Sequence, residues 1–274
     1  MDIKYYEEIW ASSGLKDLHS QQILWDSRAE EFNKSFLKKE NTNRTNDLIN
    51  FLVSKCYLNK EGNILDIGCG PGKYSLEFSK LCKNVTAIDI SPEMINYAKV
   101  NSEEKNVKNI DFQLMPWENI SIEEKGWERK YDLVFASMCP GINSKDALVK
   151  MVQASKGYCF MSSFAKRNDK IMDELYEKVY GEEPSSRWGK NIYCAFNILW
   201  NLGFYPEICY HDIKSEKVYP LEKAIELYTL QIQRGREKSK DIKDKVTEYL
   251  TSISEDGIIK DTMEAKIAWI YWKA

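Results

Sequence analysis

Asn63-Ile-Leu-Asp-Ile-Gly-Cys-Gly-Pro-Gly-Lys-Tyr-Ser75 sets the architecture of this chain. Its first five residues form an apolar run of strand length, with an acid two residues before a glycine. A tight Gly-x-Gly-x-Gly turn follows, and a helical segment is predicted over Lys73 to Leu81. Working outward, Val85 to Ile90 reads as a second strand. Ser91 and Pro92 are an N-cap and first-turn pair for a helix over 92–100. Ile110–Leu114, Tyr131–Ser137 and Gly157–Phe164 are three more strands, and a helix spans Ser144–Ala154 between the last two. Strand alternating with helix over a hundred residues predicts a parallel sheet covered on both faces. The expected fold class is α/β, a doubly wound, mostly parallel sheet.

Upstream, the first 45 residues have helical periodicity, with Ile23, Trp25, Ala29 and Phe32 near one face. Asn41–Asn46 reads as a polar break, before a helical pattern resumes from Asp47 to Tyr57. Downstream, helices are expected at 169–180, 191–201, 221–232 and 241–251, with strands at 206–219 and 265–272. The loop at 181–189 and the basic junction at 234–240 separate them. The expected organisation is an N-terminal helical lid segment (1–45), a core (46–219 with 256–274), and a helical insertion before the last strand (220–255).

The glycine loop indicates the ligand. Gly68 and Gly70 allow a sharp turn and a close approach without a Cβ. In a doubly wound sheet this loop lies at the carboxyl end of the first strand, where ligands bind. A dinucleotide loop reads Gly-x-Gly-x-x-Gly and offers a helix N-terminus to a pyrophosphate, but here residue 73 is Lys. Asp66 would repel a pyrophosphate and attract an ammonium group. Asp89 follows Gly70 at a spacing that suits a carboxylate binding ribose hydroxyls. A ligand with a cationic amino-acid end and a nucleoside end fits S-adenosylmethionine.

Leu65-Asp-Ile-Gly-Cys-Gly-Pro-Gly72 together with Val85-Thr-Ala-Ile-Asp-Ile-Ser-Pro-Glu-Met94 resembles the first two motifs of class I S-adenosylmethionine-dependent methyltransferases. The likeness covers residues 45 to 165. Trp25-Asp-Ser-Arg-Ala-Glu-Glu-Phe32 is also similar to the N-terminal helix of many small-molecule members. The resemblance implies a Rossmann-like methyltransferase core. It implies that Asp66 holds the methionine ammonium and that Gly68, Cys69 and Gly70 offer backbone to the methionine portion. Asp89 would take the ribose hydroxyls, with Ile90 against the adenine face and Met94 beside it. Met115, Trp117 and Glu118 would complete the adenine pocket, although the family's usual Asp just after the third strand is absent. Ala136 and Ser137 would flank the sulfonium.

The methyl of a sulfonium is already electrophilic, so no catalytic triad has to be visible. In-line positioning can supply ~7–11 kcal/mol of the barrier. His19 is a candidate proton acceptor and Cys139 a candidate nucleophile, although Cys139 reads more readily as pocket wall. Trp25, Arg28, Cys139, Trp188 and Tyr193 are the expected acceptor-pocket residues. Trp200 and Tyr205 are further aromatics of the lid segments.

Composition narrows the remaining readings. The chain has 274 residues and a formal charge of −3, with 30% charged, 43% hydrophobic and 12% aromatic residues, which excludes a disordered tail or a coiled-coil rod and disfavours a polyanion binder. The start carries no basic-then-apolar leader, and no window is apolar enough to span a bilayer. Seven scattered cysteines without Cys-x-x-Cys spacing read as reduced thiols in a cytoplasmic protein, and no metal site is expected. The leading expectation is methyl transfer to a small-molecule acceptor in a lidded pocket, with no nucleic-acid or membrane partner. Methylation of a protein or RNA, and a non-catalytic cofactor-binding protein on the same fold, are the alternatives.

Overall fold

The structure is a computed structural model that describes residues 2–11, 17–36, 39–181, 189–233 and 239–274. The described chain divides into two compact units. The first comprises 1–163, 191–209 and 269–274; the second comprises 164–190 and 210–268.

In the first unit, helices α1 (Ile3–Ala11), α2 (Leu18–Phe36) and α3 (Lys39–Ser54) precede β1 (Asn63–Ile67). The chain continues through α4 (Lys73–Phe78), β2 (Asn84–Asp89), α5 (Pro92–Glu104), β3 (Ile110–Leu114), a 3-10 turn at Trp117–Asn119, β4 (Tyr131–Ser137) and α6 (Lys145–Ala154). The strand β5 (Ser155–Asp169) begins here and ends in the second unit. After α7 (Lys170–Tyr180) come α8 (Lys190–Asn201), β6 (Glu207–Pro220), α9 (Leu221–Ile232), α10 (Lys240–Ile253) and β7 (Ile258–Lys273).

Among the described residues the strands form one seven-stranded sheet in the order β3-β2-β1-β4-β5-β7-β6. The β1–β2, β2–β3, β1–β4 and β4–β5 pairs are all parallel, as the alternating pattern predicts. The chain winds outward from β1 to β3, then returns to place β4 on the other side of β1. The switch point lies between β1 and β4, so a crevice is expected beyond their carboxyl ends. Strands buried on both faces explain the nearly continuous apolar runs: Leu65, Leu133, Val134, Phe135 and Phe160 are all fully buried. Phe135 stacks on Phe160 at 4.9 Å and meets Phe78 of α4 edge-on at 4.9 Å.

Several elements depart from the sequence expectation, among them β5 and β7, which are longer than the strands expected at 157–164 and 265–272. The polar break at 41–46 lies within helix α3. Thr45, Leu48, Ile49 and Leu52 are buried at helical spacing, and packing of that stripe outweighs the weak propensity of the polar residues. Helix α4 is shorter than expected, and its last turn gives way to hydrogen-bonded turns through Leu81 and Cys82. The expected insertion of 220–255 does not stand alone. In the second unit Ile171, Met172 and Leu175 of α7 share one core with Tyr228 and Ile232 of α9 and with Val246 and Leu250 of α10.

Candidate cofactor crevice

The loop after β1 is shaped by positive φ angles at Gly68 (70°), Gly70 (55°) and Gly72 (86°), a region side chains rarely adopt. It is tied down by amide hydrogen bonds from Gly68 and Cys69 to the Ile88 carbonyl of β2, at 2.8 and 3.0 Å. A Cβ on Gly68 would lie 2.6 Å from Cys139 Sγ. The loop after β4 therefore closes directly on the glycine loop, and only glycine fits between them.

Asp66 and Asp89 stand at the ends of adjacent strands. Ser75 Oγ donates to Asp66 Oδ2 at 2.5 Å. Gly72, the N-cap of α4, has no side chain to offer, so Asp66 supplies an acceptor at that helix start. Burial pushes the Asp66 carboxyl up to about 7, and the nearby charge of Asp89 adds to the shift. Asp89 Oδ2 accepts from Gly70 N–H and Oδ1 from Ser91 N–H, both at 2.9 Å. Its carboxyl is also raised, by burial first. Two amides thus fix the orientation of Asp89 and leave it further lone pairs.

The wall opposite is built from the turn after β3 and the loop after β4. Met115 N–H donates to the Asp89 carbonyl at 2.8 Å. A Cβ on Gly141 would lie 3.5 Å from Cys139 Sγ and from both carboxylate oxygens of Glu118, so these three residues meet. Burial raises the Glu118 carboxyl. Ser137 Oγ lies 3.0 Å from Ser162 Oγ, which also accepts from Met138 N–H at 3.1 Å. Ala136 and Met94 are buried, while Ile90 and Ser137 are half-buried.

One sequence expectation is corrected here. Trp117 does not face an open crevice: it is 2% exposed and its indole N–H donates to the Ala147 carbonyl of α6 at 3.2 Å. Lys150 fixes the same turn, donating to the Trp117 and Glu118 carbonyls at 2.9 and 3.0 Å. Sequence reading missed that lysine because a buried ammonium leaves no local signature. Burial, with Asp89, Glu118 and Asp66 nearby, pushes the Cys139 thiol up to about 12, which suits a wall residue better than a nucleophile.

The other candidates scatter. His19 is exposed at the start of α2, where its amide donates to Asp17 Oδ1 at 3.1 Å. Arg28 lies over the rings of Trp25 (5.5 Å) and Phe32 (4.9 Å), a surface stack on α2. Tyr193 meets Tyr6 of α1 edge-on at 5.7 Å, and the Trp10 indole of α1 donates to Asn191 Oδ1 of α8 at 2.9 Å. Lys145 at the start of α6 pairs with Glu7 at 3.7 Å, so α1 bridges α6 and α8. Trp200 and Tyr205 pack edge-to-face on each other and are 52% and 65% exposed, as surface residues are. Trp188 and the junction at 234–238 lie outside the described residues.

Residues 58–226, more than half of the chain, match the family described as "Methyltransferase domain". The chain belongs to that methyltransferase family. Its cofactor is S-adenosylmethionine. The crevice fits that group: a glycine cradle without Cβ atoms adjoins two oriented carboxylates that suit an ammonium and a diol. The chain is similar to the ubiquinone biosynthesis O-methyltransferase of Xanthomonas campestris pv. campestris (strain B100), 36% identical over 63 residues. That match covers 23% of this chain and 26% of the relative, so it spans about a quarter of the relative's length. In fold it is similar to the YcgJ protein of Bacillus subtilis (TM-score 0.50, 18% identity, 82% of this chain and 96% of that one). It is likewise similar to a putative methyltransferase from Bacillus halodurans C-125 (TM-score 0.51, 16% identity, 81% and 96%). Among the described residues no helix is long and apolar enough to cross a membrane.

Proposed function

We propose that this methyltransferase transfers a methyl group to a small organic acceptor, with the cofactor lying across the carboxyl ends of β1, β2 and β4. The observation that carries the reading is Asp89, whose two carboxylate oxygens are fixed by Gly70 and Ser91 amides beside the glycine cradle. When bound, the cofactor supplies an electrophilic methyl on a sulfonium.

This chain's residues supply the rest. Asp89 takes the ribose hydroxyls, and Asp66 faces the ammonium. Gly68, Cys69 and Gly70 bring backbone against the methionine portion without steric cost. Ile90, Met94, Met115 and Glu118 line the adenosine side, and Ala136 and Ser137 lie at the end of β4 beside the sulfonium. Burial and Arg44 push the Lys73 ammonium down to about 8, and an anion such as the methionine carboxylate beside it would raise it again.

The acceptor side is assigned to Cys139 and Gly141 in the loop after β4, with the exposed Tyr193 of α8 as its aromatic candidate. Orientation and exclusion of water are the main catalytic tasks there. The short match to a ubiquinone biosynthesis O-methyltransferase supports a small organic acceptor in preference to a macromolecule. Calorimetry with S-adenosylhomocysteine tests the cofactor reading: binding in the wild type and its loss in Asp89→Ala support it. A screen of phenols, amines and thiols with methyl-labelled cofactor then tests the acceptor class. Label transfer only to added protein or RNA would reject the small-molecule reading.

A further inference from the structure

The N-terminal segment is expected to act on the acceptor, as a lid. Helix α2 makes a different set of contacts. Asp26 Oδ1 accepts from Ser91 Oγ–H at 2.5 Å and from Glu93 N–H at 3.4 Å. Ser91 is the residue whose own N–H holds Asp89 Oδ1, and its hydroxyl oxygen accepts from Met94 N–H at 3.0 Å as the N-cap of α5. A hydroxyl has one proton. Giving it to Asp26 leaves the oxygen free to cap the helix, and the carboxylate sits at the positive end of α5.

Two turns further along α2, Asn33 Oδ1 accepts from Asn101 Nδ2 at 2.8 Å. The same Asn101 amide donates to the Pro71 carbonyl at 2.9 Å, inside the glycine loop. Residues seven apart share one face of a helix. One face of α2 therefore holds both halves of the crevice: the turn that aims Asp89 through Asp26, and the glycine loop through Asn33 and Asn101.

We propose that Asp26 and Asn33 are positioning residues for the cofactor, and that α2 is a brace whose docking is coupled to cofactor occupancy. Their hydrogen bonds go to Ser91, Glu93 and Asn101. Each fixes a backbone segment assigned to the cofactor crevice, so binding and the order of α2 must favour each other. The inference rests on the assignment of Asp89 to the ribose.

The test measures S-adenosylhomocysteine affinity by calorimetry and amide hydrogen exchange across 18–36, with and without that ligand. In the wild type, ligand slows exchange in α2. Asp26→Ala raises Kd about tenfold or more, and Asn33→Ala about fivefold, the sizes expected for a charged and a neutral hydrogen bond. Both lose the ligand-induced slowing in α2. Asp26→Asn, which keeps the accepting oxygen and the shape, falls between wild type and Asp26→Ala. Glu30→Gln, an exposed change on the same helix, leaves both readouts alone. A Kd within twofold of wild type in Asp26→Ala and Asn33→Ala would overturn the proposal, as would weaker binding with the α2 protection intact. Asp89→Ala is the separate control: wild-type affinity there would reject the ribose assignment itself, whatever the α2 variants show.

Discussion

Asp89 in the first unit and Asp261 and Glu174 in the second are hydrogen-bonded by different kinds of donor. In the crevice of the first unit, Asp89 is held by two backbone amides and Asp66 by the Ser75 hydroxyl at a helix start. In the second unit Tyr228 O–H donates to Asp261 Oδ2 at 2.6 Å, and Tyr249 O–H donates to Glu174 Oε2 at 2.8 Å. Amides of a fixed loop aim a carboxylate and leave part of its accepting capacity for a ligand. A phenol on a neighbouring helix contributes a ring to the core and its proton to the acid, which ties elements together. Under the proposed function the first arrangement serves recognition; the second ties α9 to β7 and α10 to α7.

Substitutions can break that contrast. The largest effect is expected from Gly68→Val, which forces a branched side chain into positive φ and against Cys139. It should cost about 3 kcal/mol or more of stability and remove detectable S-adenosylhomocysteine binding, as read by urea unfolding and calorimetry. Asp89→Ala should act mainly on binding: Kd rises about 100-fold, while the Gly70 and Ser91 amides that lose their acceptor cost about 1–3 kcal/mol in unfolding. Tyr228→Phe should act on stability alone. Leaving Asp261 without its donor should cost about 1–3 kcal/mol in unfolding, with cofactor affinity within twofold of wild type.

The smallest effect concerns pH. Burial raises Asp66 from 3.8 to about 7, so the native state holds a proton that the unfolded chain has released. Its contribution to stability therefore falls as pH climbs from about 4 to about 7 and is level above that. An ammonium ligand favours the ionised form. Affinity for S-adenosylhomocysteine should rise by up to about tenfold between about pH 6 and pH 8. Titration calorimetry on Asp66→Asn should show that dependence removed; a slope surviving in the variant would assign it to another group.

Much of the first unit was legible in the sequence. β1, β3 and β4 have the bounds expected from their apolar runs; β1 and β4 are buried on both faces and so are written almost continuously, while β3 is a half-exposed edge strand. The Ser91 cap was legible for the same local reason. The glycine loop and Asp89 could be found because their spacing along the chain encodes their meeting across β1 and β2. Asp26 and Asn33 could not be assigned this way. Their partners lie 65 and 68 residues away, and on a helix rich in polar residues nothing marks them out. Trp117 was misplaced for a related reason: a tryptophan after a strand fits an adenine pocket and a helix–sheet core equally well, and only Ala147 decides between them. The shared core of α7, α9 and α10 is likewise a long-range fact, since each helix alone shows only an apolar stripe.

Cys139 carries one more consequence. A thiolate beside a bound alkyl donor would be methylated by it, and the enzyme would be consumed by its own reagent. Sunk among Asp66, Asp89 and Glu118, this sulfur keeps its proton at any physiological acidity. If the cofactor lies as proposed, the burial that raises this thiol also keeps it from being alkylated.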